Sequence, residues 1–139
     1  MIATKDIKII NHKGRGFDFE GYAIGKLKVP ESSRLNDVVI DITGGVIIGE
    51  RVHFGHQVMI LTTSHPPEIS NGEERMKTIR VDEVRINDDA YIGSRVMILK
   101  GVTIDKGSYI AAGSVILEDT EIGERELWAG VPASFKRKL

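Results

Sequence analysis

Four histidines and no cysteine bound the chemistry open to this 139-residue chain. Without a thiol there is no disulfide, no thiolate metal site and no cysteine nucleophile. Imidazole is then the side chain whose ordinary pKa suits proton transfer near neutrality. His65, in the run Thr63-Ser64-His65-Pro66, has the most telling setting. The proline after it biases the histidine's backbone away from helix. Beyond it the sequence becomes polar and turn-rich, with Pro66-Pro67, Asn71-Gly72 and the charges Glu73, Glu74 and Arg75. A lone loop histidine is most often inert, but one at the junction of a rigid scaffold and an excursion stands where sites are commonly built. A general base so placed contributes on the order of 10² to 10⁴ in rate. His53 and His56 raise a metal-binding reading, and His12 has no context beyond its turn.

The scaffold that must position His65 is written in a repeat, which has to be found before any element is assigned. Isoleucine recurs at 86, 92, 98, 104, 110, 116 and 122, seven in succession at a spacing of six. The same frame runs upstream through Ile42, Ile48, Phe54 and Ile60, with Val46, Val52 and Val58 at its fifth place. The second place is mostly small or polar (Asn87, Gly93, Asp105, Ala111, Gly123), with Leu99 and Leu117 as exceptions. Six is neither the 3.6 of a helix nor a plain alternation. It reads as a short strand and a corner, three units closing a triangular coil, so that residues eighteen apart stack in parallel strands about 4.8 Å apart. Isoleucine columns supply the core, and glycine or asparagine at the corners tolerates positive φ. Fifteen glycines, four prolines and 6% aromatics suit a chain that turns often around small aliphatic side chains. A β-sandwich with incidental regularity is the alternative, and seven in-frame isoleucines weigh against it.

The chain thus reads as one β-helix domain over 1–139. Residues 1–41 are irregular first coils; Ile7, Ile9, Phe17, Phe19 and Val38-Val39-Ile40 read as strands around a turn from Asn11 to Gly16, capping an open sheet edge. Regular coils occupy 42–61 and 86–123, an extruded loop carrying the active site occupies 62–85, and a closing segment occupies 124–139.

From about residue 42 to residue 123 the pattern resembles the hexapeptide signature of the left-handed parallel β-helix acyltransferases. The left hand is implied by that resemblance alone, since the general crossover rule favours the right. Trp128-Ala129-Gly130-Val131-Pro132-Ala133 resembles the closing segment of small maltose- and galactoside-type sugar O-acetyltransferases. Ile92-Gly93-Ser94, Gly101-Val102-Thr103-Ile104 and Ala112-Gly113-Ser114-Val115 resemble their cofactor-side coils, and His65-Pro66 is similar to the His-Pro that opens their active-site loop. The resemblance implies transfer of an acetyl group from acetyl-CoA to a hydroxyl of a sugar or glycan precursor, with His65 as base. Imidazole Nε2 would take the hydroxyl proton, a backbone N–H would meet the oxyanion, and the imidazolium would protonate the leaving thiolate.

It further implies an acceptor-site asparagine, for which Asn36 with its neighbour Asp37 is the nearest match, one residue off in spacing; a plain turn is the alternative. For coenzyme A it implies Tyr91, where the family often carries tryptophan, with Ser94, Ala112 and Gly113 along the pantetheine and Arg137 at a phosphate. Corner geometry alone is the competing account of Ser94 and Ala112. Leu117-Glu118 departs from the family's Thr-Lys and sets an acid toward the cofactor's phosphates; Lys100, where proline is usual, would compensate. The expected assembly is a homotrimer with sites between subunits.

Three other readings compete. One is an N-acyltransferase acting on an amino sugar. Another is a non-catalytic β-helix assembly module, to which Leu117-Glu118 lends weight. The third is a metal lyase of the gamma carbonic anhydrase kind, but that spacing places Leu61 where a histidine is needed, so no metal is expected. With 19 basic and 20 acidic residues the net charge is −1, and apart from Lys136-Arg137-Lys138 nothing points to nucleic acid or a membrane surface. The N-terminus lacks a signal peptide's apolar region and no apolar run reaches membrane-span length, so a cytoplasmic location is expected.

Overall fold

In the computed structural model, which describes residues 7–139 and the backbone of residues 2–3, most six-residue units make one short strand and one corner. Successive strands join three parallel sheets in rotation, forming three faces. The first face holds Arg34–Leu35, His53–Phe54, Tyr91–Ile92, Tyr109–Ile110 and Glu126–Gly130. The second holds Lys8–Ile10, Val39–Asp41, Met59–Ile60, Met97–Ile98 and Val115–Ile116. The third holds Leu27–Lys28, Val46–Ile48, Val84–Ile86, Thr103–Ile104 and Glu121–Ile122. Two-residue strands have no stability alone. They persist because each coil hydrogen-bonds to the next, as in Gly55 N–H to Ile92 C=O at 2.7 Å and Gly93 N–H to Ile110 C=O at 2.8 Å.

Alternation sends one residue of each strand inward. Phe54, Ile92 and Ile110 stack under the first face, Ile40, Ile60, Ile98 and Ile116 under the second, and Ile48, Ile86, Ile104 and Ile122 under the third, all at most 2% exposed. Trp128 and Ala133, from the closing hairpin Glu126–Gly130 and Ala133–Lys138, pack against this core. Among the described residues no helix is long and apolar enough to cross a membrane.

Two expectations change. Ile42 is only partly buried and lies outside the strand; Ile40 takes the core place and pairs with Ile60, twenty positions on. The bend Thr43-Gly44-Gly45 absorbs the two extra residues, so the regular frame starts at Ile48. The corner positions with positive φ are also not reserved for glycine or asparagine. The left-handed conformation falls on the third residue after each core residue: Arg51, Gln57, Asp89, Arg95, Gly101, Gly107, Gly113, Asp119 and Arg125, with φ between 54° and 75°. Only three of these nine are glycine. Four of the others meet in pairs across coils, with Arg51 Nε 2.6 Å from Asp89 Oδ1 and Arg95 Nε donating to Gln57 Oε1 at 2.8 Å. Second-place glycine serves close approach, since a Cβ on Gly93 would lie 2.6 Å from Ala112 N and 2.8 Å from Ile110 O.

These two glycine roles give a graded expectation. Gly113→Ala meets nothing within 4 Å but keeps φ +75°, so it should cost about 1 kcal/mol. Gly93→Ala must push backbone apart and should cost more, both read by denaturant unfolding. The Arg51 hydrogen bond holds the Asp89 carboxyl below its ordinary range. A depressed pKa contributes stability above the unfolded value that is lost as pH falls through the folded one. Asp89→Asn should therefore differ from the parent at neutral pH and converge on it in acid, as followed by melting temperature.

Candidate active site

The chain leaves the coil after Ile60 and re-enters it at Val84. Stacked partners are eighteen apart below this point, as in Ile92 with Ile110, but 38 apart across it, as in Phe54 with Ile92, so twenty residues are inserted without breaking register. The insertion is ordered. Thr63–Ser64 pairs antiparallel with Thr78–Val81, whose other edge pairs parallel with Asp18–Glu20. The excursion containing Phe17 and Phe19 therefore buttresses the loop. Arg80 joins the layers, donating from Nε to Glu20 at 2.9 Å and pairing with Glu68. Asn71-Gly72, which reads as a turn, starts the helix Gly72–Lys77. Asn71 Oδ1 accepts from Glu73 N–H at 3.0 Å and Glu74 N–H at 3.1 Å, an N-cap backed by first-turn acids.

His65 follows directly on Thr63–Ser64. Its Nδ1 lies 2.8 Å from the carbonyl oxygen of Arg75 and 2.9 Å from that of Thr78. Carbonyl oxygens only accept, so Nδ1 carries the hydrogen and the neutral ring keeps its lone pair on Nε2. The residue is exposed while Pro66 behind it is buried. The arrangement is an oriented imidazole whose Nε2 has no hydrogen-bond partner among the described residues.

Sequence reasoning passed over the root of this loop. Asp41 is 1% exposed; its Oδ1 accepts from Thr43 N–H at 3.0 Å and Thr43 Oγ1 at 2.6 Å, its Oδ2 from Thr63 Oγ1 at 2.5 Å. Thr62 Oγ1 donates to Asp41 C=O at 2.8 Å and accepts from Gly44 N–H at 2.9 Å. A carboxylate in the apolar run Val38-Val39-Ile40-Asp41-Ile42 was the available signal.

Asn36, Asp37, Ser94, Ala112 and Gly113 share the corner between the first and second faces. Asn36 Nδ2 donates to Phe54 C=O at 3.4 Å, and Asp37 is a corner residue at φ 44° whose carbonyl accepts from Gln57 N–H. Ser94 Oγ accepts from His56 N–H at 3.0 Å. Ala112 and Gly113 are exposed, leaving a smooth edge open to a slender ligand. Tyr91 stands beside it on the first face, stacked on Tyr109 at 4.5 Å and edge-on to His53 at 5.4 Å. Lys100 lies on the other corner, between the second and third faces, with Nζ 3.4 Å from both Glu118 and Asp119 and the side chain 10% exposed. Arg137 sits in the closing strand opposite Leu127. Within one chain, then, the His65 loop and the Ser94–Ala112–Gly113 edge stand at opposite margins of the second face. A groove of about 350 Å³ lined by Lys28, Pro30, Ile47, Gly49, Arg85 and Asp88 belongs to the third face and not to either margin. Among the described residues no cluster of three or more His, Asp or Glu could hold a metal.

Residues 83–118 match the family model described as bacterial transferase hexapeptide (six repeats). Over 110 residues the chain is 32% identical to galactoside O-acetyltransferase of Lactococcus lactis, covering 77% of this chain and 49% of that protein. Over 54 residues it is 43% identical to gamma carbonic anhydrase 2, mitochondrial, of Arabidopsis thaliana, covering 39% of this chain and 19% of that protein. Among solved structures it superposes on a hexapeptide-repeat acetyltransferase from Vibrio cholerae in complex with acetyl-CoA, with TM-score 0.67 and 26% identity, covering 90% of this chain and 73% of that one. The chain has the left-handed parallel β-helix fold, and its residues 83–118 carry the hexapeptide repeat. It spans about half the length of the galactoside acetyltransferase it matches.

The two carbonyl contacts make a direct expectation for His65. Ring ¹⁵N shifts of the neutral side chain should show Nδ1 protonated and Nε2 bare; the opposite tautomer would mean that neither carbonyl holds the ring in solution.

Proposed function

We propose that this chain is a coenzyme-A-dependent acetyltransferase that moves an acetyl group from acetyl-CoA to a hydroxyl of a sugar or glycan precursor, with His65 as general base. The observation that carries the reading is the Nδ1 hydrogen bonding of His65 to the Arg75 and Thr78 carbonyls, which leaves Nε2 without a partner among the described residues, on an exposed loop. A sugar hydroxyl is a weak nucleophile near neutrality. As its oxygen attacks the thioester carbonyl, Nε2 accepts the hydroxyl proton. When the tetrahedral adduct collapses and the C–S bond breaks, the imidazolium returns that proton to the sulfur. The likeness to a galactoside O-acetyltransferase and to an acetyl-CoA complex supports both substrates.

The proposed donor site is the Ser94–Ala112–Gly113 edge, with Tyr91 beside it and Asn36 and Asp37 on the same corner toward the acceptor. Open space at Gly113 and exposure at Ala112 suit a pantetheine arm lying along the coil. Arg137 is proposed for a phosphate. Lys100, already flanked by two carboxylates, has less charge to offer the cofactor than its type suggests. Because this edge and His65 lie at opposite margins of one face, the complete site forms between copies, His65 of one facing the small-residue edge of the next. A homotrimer provides that arrangement three times over.

The test is an acceptor screen following thiol release from acetyl-CoA, run beside His65→Ala. The variant should lose about 10²- to 10⁴-fold in turnover while keeping its melting temperature, and acetyl-CoA should raise the melting temperature of both. Full activity in His65→Ala removes the histidine from the mechanism; no thermal shift at millimolar acetyl-CoA favours a scaffold without a donor site.

A further inference from the structure

We infer that Asp41, acting through Thr63, is the positioning residue that sets where His65 Nε2 points; this rests on the reading of His65 as base. Burying a carboxylate is costly unless hydrogen bonds replace its water. At 1% exposure Asp41 forms no ion pair among the described residues, and its side chain is held by Thr43 N–H, Thr43 Oγ1 and Thr63 Oγ1. The Thr63 contact, at 2.5 Å, has the length of a hydroxyl bound to an ionised carboxylate. Thr63 lies two residues before His65, in the short strand Thr63–Ser64 that leads directly into the histidine. Fixing Thr63 therefore fixes the direction in which the imidazole leaves the chain.

The acceptors of the imidazole are on the returning leg of the loop, and that leg is tied to the same root. Thr62 C=O accepts from Asp82 N–H at 3.0 Å, while Thr62 Oγ1 bridges Asp41 C=O and Gly44 N–H. From the N-terminal side, His12 N–H donates to Thr43 Oγ1 at 2.8 Å. Asp41 thus sits where both legs of the loop and the first coil meet. Its role is to hold Nδ1 of His65 against the Arg75 and Thr78 carbonyls; it does not touch substrate.

Thr63→Val removes the hydroxyl with little change of shape, and Thr63→Ser keeps it; Asp41→Asn is the second route should valine fail to fold. Each full-length variant is measured for the His65 ring ¹⁵N pattern and for kcat and KM in thiol release from acetyl-CoA. Thr63→Val and Asp41→Asn should convert the single Nδ1–H form into a tautomer mixture and lower kcat roughly tenfold or more, with KM for acetyl-CoA within about twofold. Thr63→Ser should restore both. A Thr63→Val protein with the parental ring pattern and kcat overturns the inference, as does a serine variant no better than valine. If the parent transfers no acetyl group at all, the functional reading fails alone, and the ring pattern still decides the role of Asp41.

Discussion

Every feature of this molecule depends on backbone hydrogen bonding from each coil to the next. A strand such as Met97–Ile98 has two residues and no lateral partner within its own coil. Its backbone groups are met by the coils on either side: Met97 N–H donates to Ser114 C=O at 2.9 Å, and Ile98 C=O accepts from Leu61 N–H at 2.9 Å. Buried backbone groups must be paired, so each coil has to close on the same perimeter. The six-residue spacing of isoleucine is the sequence-level trace of that closure, and the burial of one core side chain per unit reinforces it. Register and hydrophobic packing cannot be varied independently here.

An insertion is tolerated on one condition: it must start and end at a corner and return the chain in register. The segment between Ile60 and Val84 does this, adding twenty residues while Val46 still pairs with Val84 and Ile48 with Ile86. Its cost appears at the root, where the departing backbone exposes groups that the coil would otherwise have paired. Asp41, Thr43 and Thr62 answer that need with side-chain oxygens. A polar cluster so deeply buried is expensive to leave half-satisfied, and this one is tied on both legs of the loop.

The repeat from Ile48 onward was legible because it follows from burial, which acts on residue type at fixed spacing. What escaped was whatever depends on partners distant in sequence. The pairing of Asp18–Glu20 with Thr78–Val81 joins segments sixty residues apart with no shared pattern. Asn71-Gly72 carries the same composition whether it turns a loop or caps a helix; only the donors at Glu73 and Glu74 distinguish them. The corner rule was legible in part for a related reason. Glycine at the corners suggested positive φ, and Gly101, Gly107 and Gly113 adopt it, but so do Arg51, Gln57 and Arg95, because contacts between successive coils offset a modest backbone cost. His65 could be found from its position, but not the carbonyls that fix its tautomer.

A triangular rod is convex at all three corners, whereas small-molecule sites are concave. At these corners the regular repeat alone offers no concavity, and the groove on the third face lies away from both margins of the second. Here the concavity has to come from the insertion standing out beside a corner, and from whatever faces the small-residue edge on the far side of the second face. That division explains why the chemistry-bearing residues fall into two sets along the same coil. The repeat supplies a straight edge with Ser94, Ala112 and Gly113 at fixed intervals, and the insertion supplies an imidazole held at Nδ1 by the Arg75 and Thr78 carbonyls. Rigidity in the first and anchoring in the second answer the same physical requirement, that groups carried by separate elements must each be oriented by their own support.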